Sequence, residues 1–110
     1  MATTRSVLER LKGPVVPVNL CFTDDDAVDL EAVARYVDWL CVQEVPVVLL
    51  TYGSSEFMSL TEAELWALTE RVGRAVAGRA LYIASTGWWP PARCREFLRH
   101  AQQSGADAVK

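Results

Sequence analysis

Four short apolar runs recur along the chain at regular intervals, and their spacing restricts the fold more than any other feature. They are PVVPVNL at 14–20, VPVVLLT at 45–51, ALYIA at 80–84 and the start of a fourth, ADAV, at 106–109. Each run is nearly continuous rather than alternating, the pattern of parallel strands covered on both faces. Their starts are separated by roughly 30 residues, the usual length of a βα unit. Helical periodicity fills the gaps. Leu30, Val33, Ala34, Val37, Leu40 and Cys41 form one apolar stripe; Leu65, Leu68, Val72, Ala75 and Val76 form a second; Cys94, Phe97, Leu98 and Ala101 form a third. The order strand–helix repeated, with right-handed crossovers, gives an α/β chain with a parallel sheet.

Local signals agree with that order. Thr61 and Glu64 form a capping box, and Leu60 with Leu65 can close a hydrophobic staple around it. Asp29 reads as a helix N-cap, Pro90-Pro91 as the opening of the third long helix, and Gly78 and Gly105 as left-handed residues at helix ends. Val7, Leu8 and Leu11 are expected to share one face of an amphipathic lead-in.

The 110 residues fit one domain spanning 1–110. The last run stops at Lys110, inside what should be a strand, so the chain is expected to be part of something larger. The formal net charge of −3 offers no basic footprint for nucleic acid. No apolar run approaches a membrane span, and the N-terminus lacks the apolar core of a secretory signal; a cytoplasmic protein is expected. Cys21, Cys41 and Cys94 are far apart and form no C-x-x-C, so they read as small buried hydrophobes rather than zinc ligands or a disulfide framework. His100 has no second histidine to share a metal and reads as a surface or packing residue. Asp24-Asp25-Asp26 could supply carboxylates to a metal, but three consecutive aspartates fit a turn better. No metal or cofactor is expected.

Ligands of parallel α/β folds bind beyond the carboxyl ends of the strands. Three loops lie there: 21–26, 52–56 and 85–91, all expected to open on one face. In Tyr52-Gly53-Ser54-Ser55-Glu56, hydroxyls and free N–H groups before a helix could hold a carboxylate or phosphate; an ordinary capped turn is the other reading. Glu56 would repel an anion, so it is expected to turn back and fix the loop. Trp88 and Trp89 could wall an apolar pocket, pack on a partner subunit or cover the neighbouring helix.

Taken in order, "GPVVPVNLCFTDDDAVDLEAVARYVDWL", "VVLLTYGSSEFMSLTEAEL", "GRALYIASTG" and "HAQQSGADAV" resemble the N-terminal portion of the dihydrodipicolinate synthase and N-acetylneuraminate lyase family. The resemblance covers Gly13 to Val109. It implies a partial (β/α)8 TIM barrel of about three βα units plus the start of the fourth strand. It further implies a homo-oligomeric lyase or aldolase that binds pyruvate or a related 2-oxo acid as a lysine Schiff base, without a cofactor.

The family loop G-T-T-G-E or G-S-T-G-E falls on Tyr52 to Glu56. Its carboxylate-holding hydroxyl position falls on Ser54, the backbone that follows on Ser55, and its glutamate on Glu56. Substrate-binding positions are therefore expected at Ser54, Ser55 and Gly53, with Tyr52 and Glu56 supporting the loop. The first hydroxyl position, part of the family's proton relay, falls on Gly53, which has none, unless Ser54 and Ser55 shift by one and supply both. Leu20-Cys21-Phe22 stands where the family has T-P-F, and Ser85 where it has glycine. Such a barrel needs about 250 residues. The segments that carry the family's Schiff-base lysine and catalytic tyrosine have no counterpart in 1–110, and neither Lys12 nor Lys110 matches the lysine position. Catalytic residues are thus expected to be absent and the chain inactive alone. A non-catalytic α/β module that self-associates or binds a missing half is the alternative expectation.

Overall fold

A computed structural model describes residues 3–110. Helix α1 (Thr4–Arg10) precedes strand β1 (Val15–Pro17). Then come α2 (Leu30–Val42), β2 (Val47–Leu49), a 3-10 turn (Phe57–Ser59), α3 (Glu62–Val76), β3 (Leu81–Ala84), α4 (Pro91–Gln103) and β4 (Ala108–Val109). The strands form one parallel sheet in the order β1-β2-β3-β4. Each strand is shorter than its apolar run, because the ends of the runs leave the ladder to enter loops.

Helices α2, α3 and α4 pack on one face of the sheet. Val18, Val48, Leu50, Tyr82 and Ala84 are buried in a single core with Val33, Val37, Leu65, Leu68, Val72, Phe97 and Ala101. Val109 packs against the same core. Neighbouring strand residues point to opposite faces. Pro17, Leu49, Ile83 and Ala108, paired across the four strands, therefore face away from the helices, and all four are only partly buried.

The helix termini follow from their caps. Asp29 accepts from Ala32 N at 2.9 Å, and Thr61 and Glu64 complete a reciprocal capping box. Pro91 begins α4. Gly78 and Gly105 adopt positive φ, and Ala77, which closes α3, is also left-handed. Gly73 on α3 is required for a close approach: a Cβ there would lie 1.7 Å from Ser104 O at the end of α4. At the amino ends of the strands, Asp107 accepts from Tyr82 N at 2.9 Å and pairs with Arg10 of α1 at 3.2 Å.

Several sequence expectations need correction. Leu98 is exposed and Cys94 only partly buried, so the third stripe narrows to Phe97 and Ala101. Cys41 is buried, but Cys21 is exposed because it sits in the loop after β1, beyond the reach of the helices. Leu8 and Leu11 are exposed, so the lead-in does not bury the face expected of it.

Candidate functional site

The carboxyl ends of β1, β2 and β3 are tied together by side chains of the loops that follow. Ser55 is completely buried. Its hydroxyl donates to Val18 O at 2.6 Å and accepts from Thr51 N at 3.2 Å, while Ser55 N donates to Thr51 O. Ser85, also buried, donates its hydroxyl to Leu50 O. The same device thus acts twice: a serine one strand along satisfies a carbonyl that the sheet ladder leaves free, as buried polar backbone requires.

Ser55's role as a ligand-gripping hydroxyl needs correction. A serine has one hydroxyl proton to donate, and Val18 O takes it. Ser54 is different: its side chain is partly exposed and makes no hydrogen bond among the described residues. The N–H groups of Tyr52, Gly53 and Ser54 also donate to no protein acceptor among these residues. The turn is closed by Ser55 N to Thr51 O, Glu56 N to Gly53 O and Phe57 N to Tyr52 O. Three successive N–H groups and one hydroxyl of this turn are thus left unengaged, donors of the type that anions use. Gly53, exposed and with open space where a Cβ would stand, leaves access to the backbone.

Tyr52 reaches across to the third loop. Its hydroxyl donates to Thr86 O at 2.6 Å, and its ring lies 5.3 Å from Phe57 and 5.5 Å from Trp88. Glu56 enters the loop through its backbone. It takes the left-handed conformation, φ 49°, and caps the 3-10 turn, but its exposed carboxylate makes no hydrogen bond among the described residues. The expectation that the carboxylate fixes the loop is corrected accordingly.

The two tryptophans separate. Trp88 is 80% exposed and flanks a cleft of about 220 Å³ lined with Tyr52, Phe57, Met58 and Leu65. Trp89 contributes to the same cleft, but its ring also packs edge-on against Phe97 of α4 at 5.3 Å. It fills the space beside Gly87, where a Cβ would come within 2.4 Å of the indole. Trp89 therefore covers the neighbouring helix as well.

The remaining polar groups are structural. Asp24 to Asp26 form an exposed turn in which Thr23 N donates to Ala27 O and Asp26 N to Thr23 O. No cluster of three or more metal-ligating side chains occurs among the described residues. His100 stacks on Trp66 at 4.6 Å, with Nε2 3.0 Å from Trp66 O, in the joint between α3 and α4. No described helix is long and apolar enough to cross a membrane. Sequence reasoning passed over Thr51, which the Ser55 bonds place at the base of the turn; its only signal was its position at the end of an apolar run.

No family model matches the chain. Curated relatives do. An uncharacterized DapA-like lyase of Pyrococcus furiosus is 31% identical over 99 residues, which is 90% of this chain and 33% of the relative. The 4-hydroxy-tetrahydrodipicolinate synthase of Bartonella henselae is also 31% identical over 99 residues, covering 90% of this chain and 34% of that protein. Among solved structures, N-acetylneuraminate lyase from Mycoplasma synoviae superposes with a TM-score of 0.83 at 26% identity, over 93% of this chain and 35% of that one. A prophage protein of the dihydrodipicolinic acid synthase family from E. coli K12, solved in complex with pyruvate, superposes with a TM-score of 0.78 at 30% identity, over 90% of this chain and 33% of that one. The chain spans about a third of the length of the curated relatives it matches.

Proposed function

We propose, for a chain that corresponds in sequence and fold to the N-terminal third of the dihydrodipicolinate synthase and N-acetylneuraminate lyase family, that Gly53 and Ser54 hold the carboxylate of pyruvate or another 2-oxo acid. The relatives are lyases of this family, and the reaction is an aldol cleavage or condensation through a lysine Schiff base. One observation carries the reading: the N–H groups of Tyr52, Gly53 and Ser54 and the Ser54 hydroxyl, successive along the turn after β2, are unengaged. Charge-assisted hydrogen bonds to a carboxylate are about twice as strong as neutral ones, so a small anion gains most from such a turn. Ser55 and Tyr52 serve it indirectly, by pinning the turn to Val18 O and Thr86 O.

The nucleophile lies outside residues 1–110 in this reading. Lys12 precedes β1, at the opposite end of the sheet from the turn. Lys110 follows β4 and does not match the family's lysine position; a Schiff-base lysine must be desolvated or stand beside another cation. The 110-residue chain is then inactive alone, and the whole barrel works as a homo-oligomer in which the exposed Trp88 and Met58 are covered.

Two measurements test this. Incubation of the chain with pyruvate and borohydride, followed by mass spectrometry, is expected to leave its mass unchanged; a stoichiometric adduct would overturn the inactive-chain reading. Titration of the isotope-labelled chain with pyruvate should shift the amide resonances of Gly53 and Ser54. That response should weaken at least about fivefold in Ser54→Ala, the loss of one charged hydrogen bond. An undiminished response in the variant would sink the assignment.

A further inference from the structure

The helix layer carries a charge pattern that the turn after β2 does not use. Acidic residues outnumber basic ones in the chain, 14 to 11. Yet four arginines, Arg35, Arg71, Arg74 and Arg79, line a single open groove between α2 and α3, against only two carboxylates, Glu31 and Asp38. Ala34 and Ala75 line it as well, and their methyl groups occupy little of its volume of about 430 Å³.

Two ion pairs brace the groove. Arg71 reaches Glu31 through Nε and Nη2, both at 3.2 Å. Arg79 reaches Asp38 at 2.7 Å and also donates to Ala75 O and Val76 O. In sequence, Arg35 falls between Glu31 and Asp38 on α2, and Arg74 between Arg71 and Arg79 on α3 and its exit. Arg35 makes no hydrogen bond or ion pair among the described residues. Arg74 has a long contact of 3.7 Å with Glu70 of its own helix. Both still act on Glu31: the Arg71 hydrogen bond does most to hold that carboxyl below its ordinary value, and the charges of Arg71, Arg35 and Arg74 add to it. Several guanidinium groups thus bear on one carboxylate that is itself 72% exposed.

We infer that this groove is a binding site for a phosphate group, seated between Arg35 and Arg74 and flanked by Arg71 and Arg79. A guanidinium presents its N–H donors in a rigid fork that matches phosphate oxygens two at a time. Arg35 has its whole fork to offer, and Arg71 keeps the N–H groups that Glu31 does not take. The excess of cations in the lining favours a dianion over a singly charged carboxylate. Glu31 is the groove's own anion and competes for the same arginines. It turns out into water as the phosphate enters. The room beside Ala34 and Ala75 accepts the organic part of a phosphate monoester as well as free phosphate. The site is independent of the Gly53–Ser54 turn, which belongs to the loop after β2.

The test is an amide-shift titration of the labelled chain with inorganic phosphate and, separately, with glycerol 3-phosphate, at about pH 8, where the phosphate is a dianion. Sodium chloride holds the ionic strength constant, so that general screening is equal throughout. Saturable shifts are expected at the Ala34 and Ala75 amides with both ligands; the tighter of the two identifies the source the groove prefers. The double variant Arg35→Gln, Arg74→Gln should bind at least about tenfold more weakly, the loss of charged hydrogen bonds. Glu31→Gln should bind about threefold more tightly, because the competing charge is gone. A double variant that binds as well as wild type, a Glu31→Gln variant that binds no better, or shifts confined to Gly53 and Ser54 would each overturn the groove as a phosphate site. The amide spectrum of each variant reports whether it is folded.

Discussion

Replacing Ser55 by alanine removes a hydroxyl that donates to Val18 O and accepts from Thr51 N, in a side chain with no exposure. A buried group left without its partner costs about 1–3 kcal/mol. Ser55→Ala is expected to lower stability by about 2 kcal/mol in urea titration, and Ser54→Ala by less than about 0.5 kcal/mol. Equal losses at the two positions would contradict the division of labour between them. Tyr82 makes a prediction in pH. Burial pushes its phenol far above the ordinary value of 10, and its hydroxyl donates to Thr69 O. The unfolded chain ionises this group near pH 10 while the folded chain keeps it protonated, so its contribution is present below that pH and lost above it. Thermal unfolding is expected to fall more steeply above about pH 10 in wild type than in Tyr82→Phe; parallel alkaline limbs would contradict this.

At the scale of elements, the close approach of α3 to the end of α4 depends on one residue. Gly73→Ala would set a Cβ 1.7 Å from Ser104 O, a backbone atom that cannot turn aside as a side chain would. Overpacking costs about 1–3 kcal/mol, and a drop in melting temperature larger than that of any surface alanine variant is expected. Arg71 of α3 joins α2 through a two-pronged contact with Glu31. That hydrogen bond, the largest cause, holds the Glu31 carboxyl below its ordinary value. The contribution is present above the ordinary glutamate range and lost as pH falls through the lowered value. Because Glu31 is exposed, the effect is small: the stability gap between wild type and Arg71→Met should close as pH falls from about 5 to about 2.

These helices were the most legible part of the chain. Their stripes follow from a 3.6-residue period that any fold preserves, and Asp29 and Thr61 mark their starts through local bonds. Leu98 and Cys21 were misread because exposure depends on what lies opposite, which a stripe does not encode.

Across the whole molecule, the sequence exposed the strand order but not the alignment of one strand with the next. A continuous apolar run has no alternation to mark its two faces. The row of Pro17, Leu49, Ile83 and Ala108 joins residues far apart in the chain, and only the register reveals it. The Gly53–Ser54 turn was legible by its hydroxyls and its place after a strand, whereas Ser55's commitment to Val18 O is a contact between two βα units. The partly buried Pro17, Leu49, Ile83 and Ala108 present an apolar row on a sheet face, so the 110-residue chain by itself is expected to self-associate in light scattering; a clean monomer at high concentration would contradict that. The central claim is that the turn after β2 holds a carboxylate. The most direct measurement is a crystal structure of the chain grown with pyruvate. It should place a carboxylate oxygen about 2.7–3.2 Å from Ser54 Oγ and from the Gly53 or Ser54 nitrogen. Pyruvate bound elsewhere, with Ser54 untouched, would contradict it.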